Sequence, residues 1–188
     1  MMRMPMQVRM TFWLLAALVG LSGCAGLGQP GPAAPAGKGG LSSVMEARRM
    51  ALEAANQSSG ISVLASPNGQ LQINLPSDFS FNTDAADIKA SMRPLLDHLA
   101  ADLATPTLAS LLIQVIGFTD SEGSESANVA LSLARANSVR NYLQGKGIAA
   151  ARLSAEGRGE DAPLAGNDKR YGRALNRRVE IYLREPGG

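Results

Sequence analysis

The sequence predicts an α/β sandwich, with helices packed on one face of a mixed β-sheet. Three patterns predict this fold class. Leu111 to Phe118 form a continuous apolar run of strand length, helical periodicity flanks that run on both sides, and residues 178–183 alternate apolar with polar side chains. At 188 residues the chain is long enough for one domain of ordinary size with appendages.

The predicted elements follow one another in the order β-β-α-β-α-β-β. Asn68-Gly69 is typical of a tight turn between two short strands. Pro94 lies inside a helical pattern and predicts either a kink or the true start of that helix. The apolar run that ends at Phe118 is expected to be central in its sheet. The predicted strands are 61–65, 71–75, 111–118, 152–155 and 178–183, and the predicted helices are 88–103 and 129–143.

The charge balance argues against nucleic-acid binding. The chain carries 18 Lys and Arg against 16 Asp and Glu. Two of these bases, Arg3 and Arg9, fall in the first 23 residues, which contain no acid, so the remainder has 16 of each sign. A protein that binds nucleic acid normally carries a strong basic excess.

Residues 1–23 are predicted to be a secretory signal peptide, since a basic start precedes a short apolar run and small residues. The run is shorter than the ~20 residues of a membrane-spanning helix. Leu21-Ser22-Gly23-Cys24 resembles the lipobox of bacterial lipoproteins, which implies cleavage before Cys24 and acylation of that cysteine, palmitate included. The alternatives are an ordinary signal peptide with a chance cysteine, or an uncleaved anchor.

Two segments are expected to separate this leader from the domain. Residues 24–40 are rich in Gly, Pro and Ala and are predicted to be a tether. Ala25, which follows the cysteine, favours transfer to the outer membrane by resemblance to lipoprotein sorting rules. Residues 41–57 are predicted to be helical, with Ser42 or Ser43 as the cap. That helix could pack on the domain, bind another protein or extend the tether.

A series of dispersed positions resembles one known family. The apolar strand ends at Thr119-Asp120, Asn128 and Arg135 follow at fixed offsets, and the string GRALNRRVEI closes the series. In order and spacing these positions resemble the OmpA-like peptidoglycan-binding domain. The resemblance implies the OmpA C-terminal-like fold over residues 61–185, in an outer-membrane lipoprotein of the Pal-like or YiaD-like type.

The resemblance also implies a ligand, the diaminopimelate of the peptidoglycan stem peptide. Its free end carries an ammonium and a carboxylate on one carbon, so a site for it needs an acid beside a guanidinium. By motif position, Asp120 binds the ammonium and Arg135 binds the carboxylate. The further implied pocket residues are Asn128, Thr119, Arg177 and Asn82, and the match at Asn82 is looser because many relatives carry an acid there.

Two geometric expectations follow. One unbroken helix from Glu125 would place Arg135 about 15 Å along its axis, at 1.5 Å per residue. We therefore expect a break near Leu131-Ser132, with Ser132 capping a second helix that begins close to Arg135. Neighbouring residues of a strand point to opposite faces, so at most one of the adjacent arginines at 177 and 178 is expected to face the pocket.

Plainer interpretations of these residues exist, in which Asp120 is a loop or cap residue and Arg135 lies on a solvated helix face.

Enzymatic activity is not expected. His98 is the only histidine and is expected at the surface, no Cys/His cluster is suited to a metal, and no nucleophile–base set is recognisable. The sequence predicts no cofactor.

Two functions are compatible with these expectations. In the first, lipid on Cys24 holds the outer membrane while the periplasm-facing domain binds peptidoglycan, which tethers membrane to wall. In the second, wall binding only positions an accessory lipoprotein of a secretion, motility or envelope complex, and the helix at 41–57 recruits a protein partner.

Overall fold

The computed structural model describes residues 42–56, 62–66 and 68–187. The predicted signal peptide, the predicted lipidation site Cys24 and the predicted tether at 24–40 lie outside these residues. The helices are α1 (Ser43–Asn56), α2 (Ser77–Ser80), α3 (Arg93–Ala104), α4 (Glu125–Gly145) and α5 (Arg170–Asn176). The strands are β1 (Ser62–Ala65), β2 (Leu71–Pro76), β3 (Leu112–Phe118), β4 (Leu153–Gly157) and β5 (Arg178–Arg184).

The five strands form one mixed sheet in the order β1-β2-β5-β3-β4. The β1–β2, β2–β5 and β5–β3 pairs are antiparallel, whereas β3 and β4 are parallel. The predicted hairpin and the predicted mixed sheet are therefore confirmed, whereas helix α5, between β4 and β5, was not predicted. Strand β3 is interior, as the apolar run predicts, but the central strand is β5.

Register places one apolar row across the whole sheet. Consecutive partners in this row are Val63, Ile73, Ile181, Val115 and Ala155, one from each strand. The first four are at most 5% exposed. Because successive side chains of a strand alternate between faces, the same alternation places Gln72, Tyr182 and Gln114 on the opposite face.

Helices α1, α3 and α4 contribute to one hydrophobic core together with this row. Helix α1 supplies Met45 and Leu52, each 1% exposed. Ser42 caps it, since Ser42 Oγ accepts a hydrogen bond from the Met45 amide at 3.2 Å. Of the three alternatives for this helix, the structure shows that it packs on the domain. Pro94 lies in the first turn of α3 and so marks the start of that helix.

Helix α4 lies directly on the sheet backbone. Gly117 and Gly157 are paired neighbours in β3 and β4, and a Cβ at either position would overlap the α4 backbone at Ser132 or Leu133. Only glycine permits this approach. The contact sets the distance between α4 and the sheet, and α4 carries three of the residues that line the candidate site.

Helix α5 has no periodic apolar pattern to predict it. The Asn176 side chain accepts hydrogen bonds from the amides of Leu164 and Ala165 and donates to the carbonyl of Ala165 and to Asn167. Asn176 is 1% exposed. Tertiary hydrogen bonds to the preceding loop, rather than an apolar face, therefore hold this short helix.

Candidate functional site

A cavity of about 510 Å³ lies where β3 ends and β5 begins. It contains all six residues proposed for the pocket on sequence grounds. Its lining residues are Ser77, Asp78, Phe81, Asn82, Thr83, Asp84, Lys89, Thr119, Asp120, Glu122, Asn128, Leu131, Arg135, Arg170 and Arg177. The structure therefore brings the proposed acid and the proposed guanidinium to one space.

Asp120 lies just beyond the end of β3 and is 6% exposed. Its Oδ1 accepts a hydrogen bond from the Glu122 amide at 3.1 Å, which fixes the carboxylate against its own loop. The Thr119 amide donates to the Gly159 carbonyl at 2.7 Å and ties this loop to the one that follows β4. The Thr119 hydroxyl is buried and has no partner among the described residues. The acid is thus held in place by backbone contacts.

Asn128 organises the loop rather than pointing freely into the cavity. Its Nδ2 donates to the Asp120 carbonyl and to Glu160 Oε2, both at 3.2 Å. Ser124 caps α4, since its side chain accepts a hydrogen bond from the Ala127 amide at 3.3 Å. The first turns of α4 and the Asp120 loop are therefore connected as one unit.

The predicted break at Leu131-Ser132 is wrong, because α4 runs without interruption from Glu125 to Gly145. Ser132 is no cap. It is fully buried at the contact with the sheet, where its hydroxyl donates to the Val129 carbonyl and accepts from the Gly159 amide, each at 2.9 Å.

The prediction was wrong because it assumed that Asp120 lies level with the start of α4 at Glu125. The loop after β3 folds back along the first turns of α4, so that Asp120 lies beside Asn128. Arg135 follows Asn128 by seven residues, which is about 10.5 Å along the helix axis. Helical side chains tilt toward the N-terminus, which shortens the remaining gap. Asn128, Leu131 and Arg135, at positions i, i+3 and i+7, all face the cavity.

Arg135 is a buried guanidinium with hydrogen-bonding capacity to spare. It is 4% exposed, its Nε donates to the Ala85 carbonyl at 2.9 Å, and it lies 5.5 Å from the centre of the Phe81 ring. Its Nη1 is buried without a hydrogen-bond partner among the described residues. Burial lowers the pKa of Arg135, and the nearby charges of Asp84 and Asp78 act in the opposite direction. Buried donors are nearly always paired, so this one indicates a site for an acceptor.

Arg177 bridges two acids at the cavity. It binds Asp78 through two hydrogen bonds, at 2.8 and 2.6 Å, and its Nη1 lies 2.5 Å from Asp120 Oδ2. The hydrogen bonds to Asp78 contribute most to raising the pKa of Arg177. Arg178, by contrast, forms a buried ion pair with Glu180 at 2.7 Å. The two adjacent arginines separate as predicted, one into the cavity and one into a structural pair.

The sequence pattern does not single out Asp78, Asp84 or Arg170, which also line the cavity. Asp78 and Asp84 fall in a segment with several acids, and nothing in the local sequence distinguishes one acid from another. Asp84 has a positive φ of 51°, a conformation that is uncommon outside glycine and visible only in the structure. Arg170 begins α5, which itself lacks a sequence signal.

The cavity carries both signs of charge in equal number. Its acids are Asp78, Asp84, Asp120 and Glu122, and its bases are Lys89, Arg135, Arg170 and Arg177. Such a lining suits a ligand that is itself a zwitterion. Among the described residues, no three His, Cys, Asp or Glu side chains are grouped to hold a metal ion, and no helix is both long and apolar enough to cross a membrane.

Comparison with known proteins finds a consistent set of relatives. The sequence profile of the OmpA family matches residues 80–177, more than half of the chain. The chain is 32% identical over 145 residues to the probable lipoprotein YiaD of Escherichia coli, covering 77% of this chain and 65% of that protein. It is 42% identical over 106 residues to outer membrane protein A of Bordetella avium, covering 56% of this chain and 54% of that protein. The chain thus spans between about half and two thirds of these relatives.

Solved structures resemble the fold. The cell wall anchor of the type VI secretion system from Pseudomonas aeruginosa aligns with a TM-score of 0.60 at 29% identity, over 74% of this chain and 96% of that one. The peptidoglycan-associated lipoprotein of Burkholderia pseudomallei aligns with a TM-score of 0.52 at 27% identity, over 56% and 84%. A MotB-like protein from Desulfovibrio vulgaris reaches a TM-score of 0.66 at 27% identity, over 76% and 92%.

Proposed function

We propose that this chain, which belongs to the OmpA family, binds peptidoglycan non-covalently through the diaminopimelate of the stem peptide. One observation carries the proposal. The buried guanidinium of Arg135 keeps an unpaired Nη1 in the same cavity as the carboxylate of Asp120. The names of two structural neighbours, a cell wall anchor and a peptidoglycan-associated lipoprotein, support it.

The chemistry of the pair fits the ligand. The carboxylate at the free end of diaminopimelate would accept hydrogen bonds from the terminal nitrogens of Arg135, whose Nε is already engaged by Ala85. The ammonium on the same carbon would donate to Asp120, beside or in place of Arg177 Nη1. A plain amine would satisfy only the acid and a plain carboxylate only the guanidinium. The site therefore selects a carbon that carries both groups.

The other cavity residues receive supporting roles in this proposal. Asn128 holds the Asp120 carbonyl, and Thr119 offers its unpaired hydroxyl beside the acid. Asn82 contributes from the loop opposite. Arg177 holds the Asp120 carboxylate in position through the hydrogen bond from its Nη1. The proposal is binding without turnover, since each of these groups positions or neutralises charge and none is paired as a nucleophile with a base.

Attachment to the membrane is the second half of the proposal. Acyl chains on Cys24 would hold the outer membrane, the segment at 24–40 would serve as tether, and the domain at 61–185 would bind the wall in the periplasm. Two interactions of moderate affinity that are joined by a linker give tighter overall attachment, because binding of one raises the effective concentration of the other. The relative YiaD, named a probable lipoprotein, supports this arrangement.

A second candidate is an accessory role in an envelope complex, and helix α1, within the segment predicted as helical at 41–57, is the feature that favours it. Val44 is 50% and Met50 60% exposed on this helix. An apolar groove of about 540 Å³ lies between α1 and the segment around Leu108. A protein partner would be expected there, leaving the wall-binding cavity free. Substituting Val44, which lines this groove, with Glu should then release the partner while wall binding persists.

The decisive experiment is co-sedimentation of the full-length protein, in mild detergent, with purified sacculi. Wild type is compared with Asp120→Ala, Arg135→Ala and the control Glu125→Ala, which changes an exposed acid of α4 outside the cavity. We expect binding to be lost in the first two variants and kept in the control, with folding checked by circular dichroism. Binding that persists in both cavity variants would move the site elsewhere, and no binding by wild type would refute wall anchoring.

A further inference from the structure

Three arginines lie along one face of α5 and its C-terminal cap. Arg170, Arg173 and Arg177 are spaced i, i+3 and i+7, which places them on a common side of a helix. Arg177 binds Asp120 and Asp78, and Arg173 Nε pairs with Glu122 Oε1 at 2.9 Å. Arg170 lines the same cavity but forms no hydrogen bond or ion pair with any described residue. The row therefore ends in a cation that no acid among the described residues pairs with.

Helix α5, which carries Arg170, is held firmly against the loop that precedes it. Arg173 Nη1 donates to the Asn167 carbonyl at 3.0 Å, while a Cβ on Gly172 would overlap the Gly166 carbonyl. The buried Asn176 side chain holds the other end of α5 to the preceding loop. A cation presented on a helix held in this way loses little conformational freedom of the backbone when it binds a ligand.

We propose that Arg170 binds a second carboxylate of the wall peptide, the α-carboxylate of the D-glutamate that precedes diaminopimelate. This inference rests on the function proposed above. In stem peptides that glutamate is linked through its side chain, so its α-carboxylate is free unless it is amidated. Arg170 would then make the protein discriminate between walls with free and with amidated glutamate.

The distances agree. Arg170 begins α5 and Arg177, which contacts Asp120, follows its last residue, so the backbones of these two residues lie about 10.5 Å apart along the axis. In the ligand, about ten covalent bonds separate the amino-acid carbon bound at Asp120 from the glutamate carboxylate. At about 3.6 Å for every three bonds of an extended chain, that path spans roughly 12 Å. A stem peptide anchored at Asp120 therefore reaches Arg170 in a nearly extended conformation.

The test uses two synthetic tripeptides, L-alanyl-γ-D-glutamyl-diaminopimelate with the glutamate α-carboxylate free or amidated. Their affinities for the full-length protein in detergent are measured by calorimetry. Wild type should bind the free form about three- to tenfold more tightly, a modest factor because Arg170 is exposed. Arg170→Ala should bind both forms equally, and Arg170→Lys should retain part of the preference. Lys169→Ala, which removes the neighbouring exposed cation outside the cavity, should retain all of it.

The failures are distinguishable. Wild type that binds both tripeptides equally, or Arg170→Ala that keeps the preference, would overturn the role of Arg170 while leaving the proposed function intact. An equal loss in Lys169→Ala would show a diffuse charge effect and overturn it too. No binding of either tripeptide by wild type would overturn the proposed function and this inference together.

Discussion

Arg177 binds Asp78 through two parallel hydrogen bonds, from Nε to Oδ1 at 2.8 Å and from Nη2 to Oδ2 at 2.6 Å. The two residues are 99 positions apart in the chain. This pair ties the turn after β2 to the end of α5 and leaves Nη1 of Arg177 for Asp120. Asp78 therefore positions the guanidinium of Arg177 beside Asp120, the acid proposed to bind the ammonium.

Replacing Asp78 with Asn should weaken this arrangement in a pH-dependent way. At about pH 7 we expect the free energy of unfolding to fall by less than about 1 kcal/mol, because the Asp78 side chain is 57% exposed. The hydrogen bond from Arg177 holds the pKa of Asp78 below its usual 3.8. A lowered folded-state pKa stabilises the fold above the unfolded-state pKa, so the difference from wild type should shrink as pH falls below about 3.8 and vanish once pH has fallen through the lower folded-state pKa.

Urea unfolding of both proteins across the acid range measures this difference. Asp161→Asn is the control, since the Asp161 carboxylate is exposed and forms no ion pair with a described residue. It should match wild type at every pH. A difference between Asp78→Asn and wild type that persists at the acid end would contradict the assignment.

Gly157→Ala should destabilise the fold strongly. The added Cβ would overlap the α4 backbone at Leu133, and forcing a helix away from a sheet typically costs about 1–3 kcal/mol or more. Gly145→Ala is the matched control, because Gly145 ends the same helix and has open space at the Cβ position. That variant should be neutral or stabilised by up to about 1 kcal/mol. Equal midpoints of thermal unfolding in the two variants would show that the α4 contact has no such role.

Two methionines of α1 test whether this helix is part of the domain core. Met45 is 1% and Met50 60% exposed. Met45→Ala should lower the free energy of unfolding by about 2–5 kcal/mol, whereas Met50→Ala should change it by less than about 0.5 kcal/mol. Chemical denaturation measures both. Similar small effects would mean that α1 packs only loosely in solution.

The buried ion pair of Arg178 and Glu180 offers a further test. Both side chains are 3% exposed, and the Arg178 guanidinium lies 3.8 Å from the centre of the Phe118 ring. Glu180→Gln should destabilise the protein by about 3–5 kcal/mol, because it leaves a buried cation without its counter-charge. Glu156→Gln breaks the comparable pair with Arg158, which is about 40% exposed on each side, and should cost under about 1 kcal/mol. The order of the two urea midpoints checks the prediction.

Most strands and the long helices follow from periodicity, because burial on one face imposes a period that is visible in the chain. Val179, Ile181 and Leu183 illustrate this: they alternate in sequence and are fully buried in the sheet. The close approach of α4 to the sheet could not be predicted in the same way. It depends on Gly117 and Gly157, which let the helix lie against two strands that are distant in sequence.

The sequence by itself determined the fold class and the two charged residues of the proposed site, since Asp120 and Arg135 stand at fixed positions relative to a strand end and a helix. Only the tertiary structure decided which groups surround them. Asp78 pairs with Arg177, and Arg170 pairs with none of the residues that the structure describes, because ion pairs form between side chains that packing brings together over long stretches of chain. The apolar periodicity of the sequence predicts which residues are buried, but it does not predict which charged side chains become neighbours.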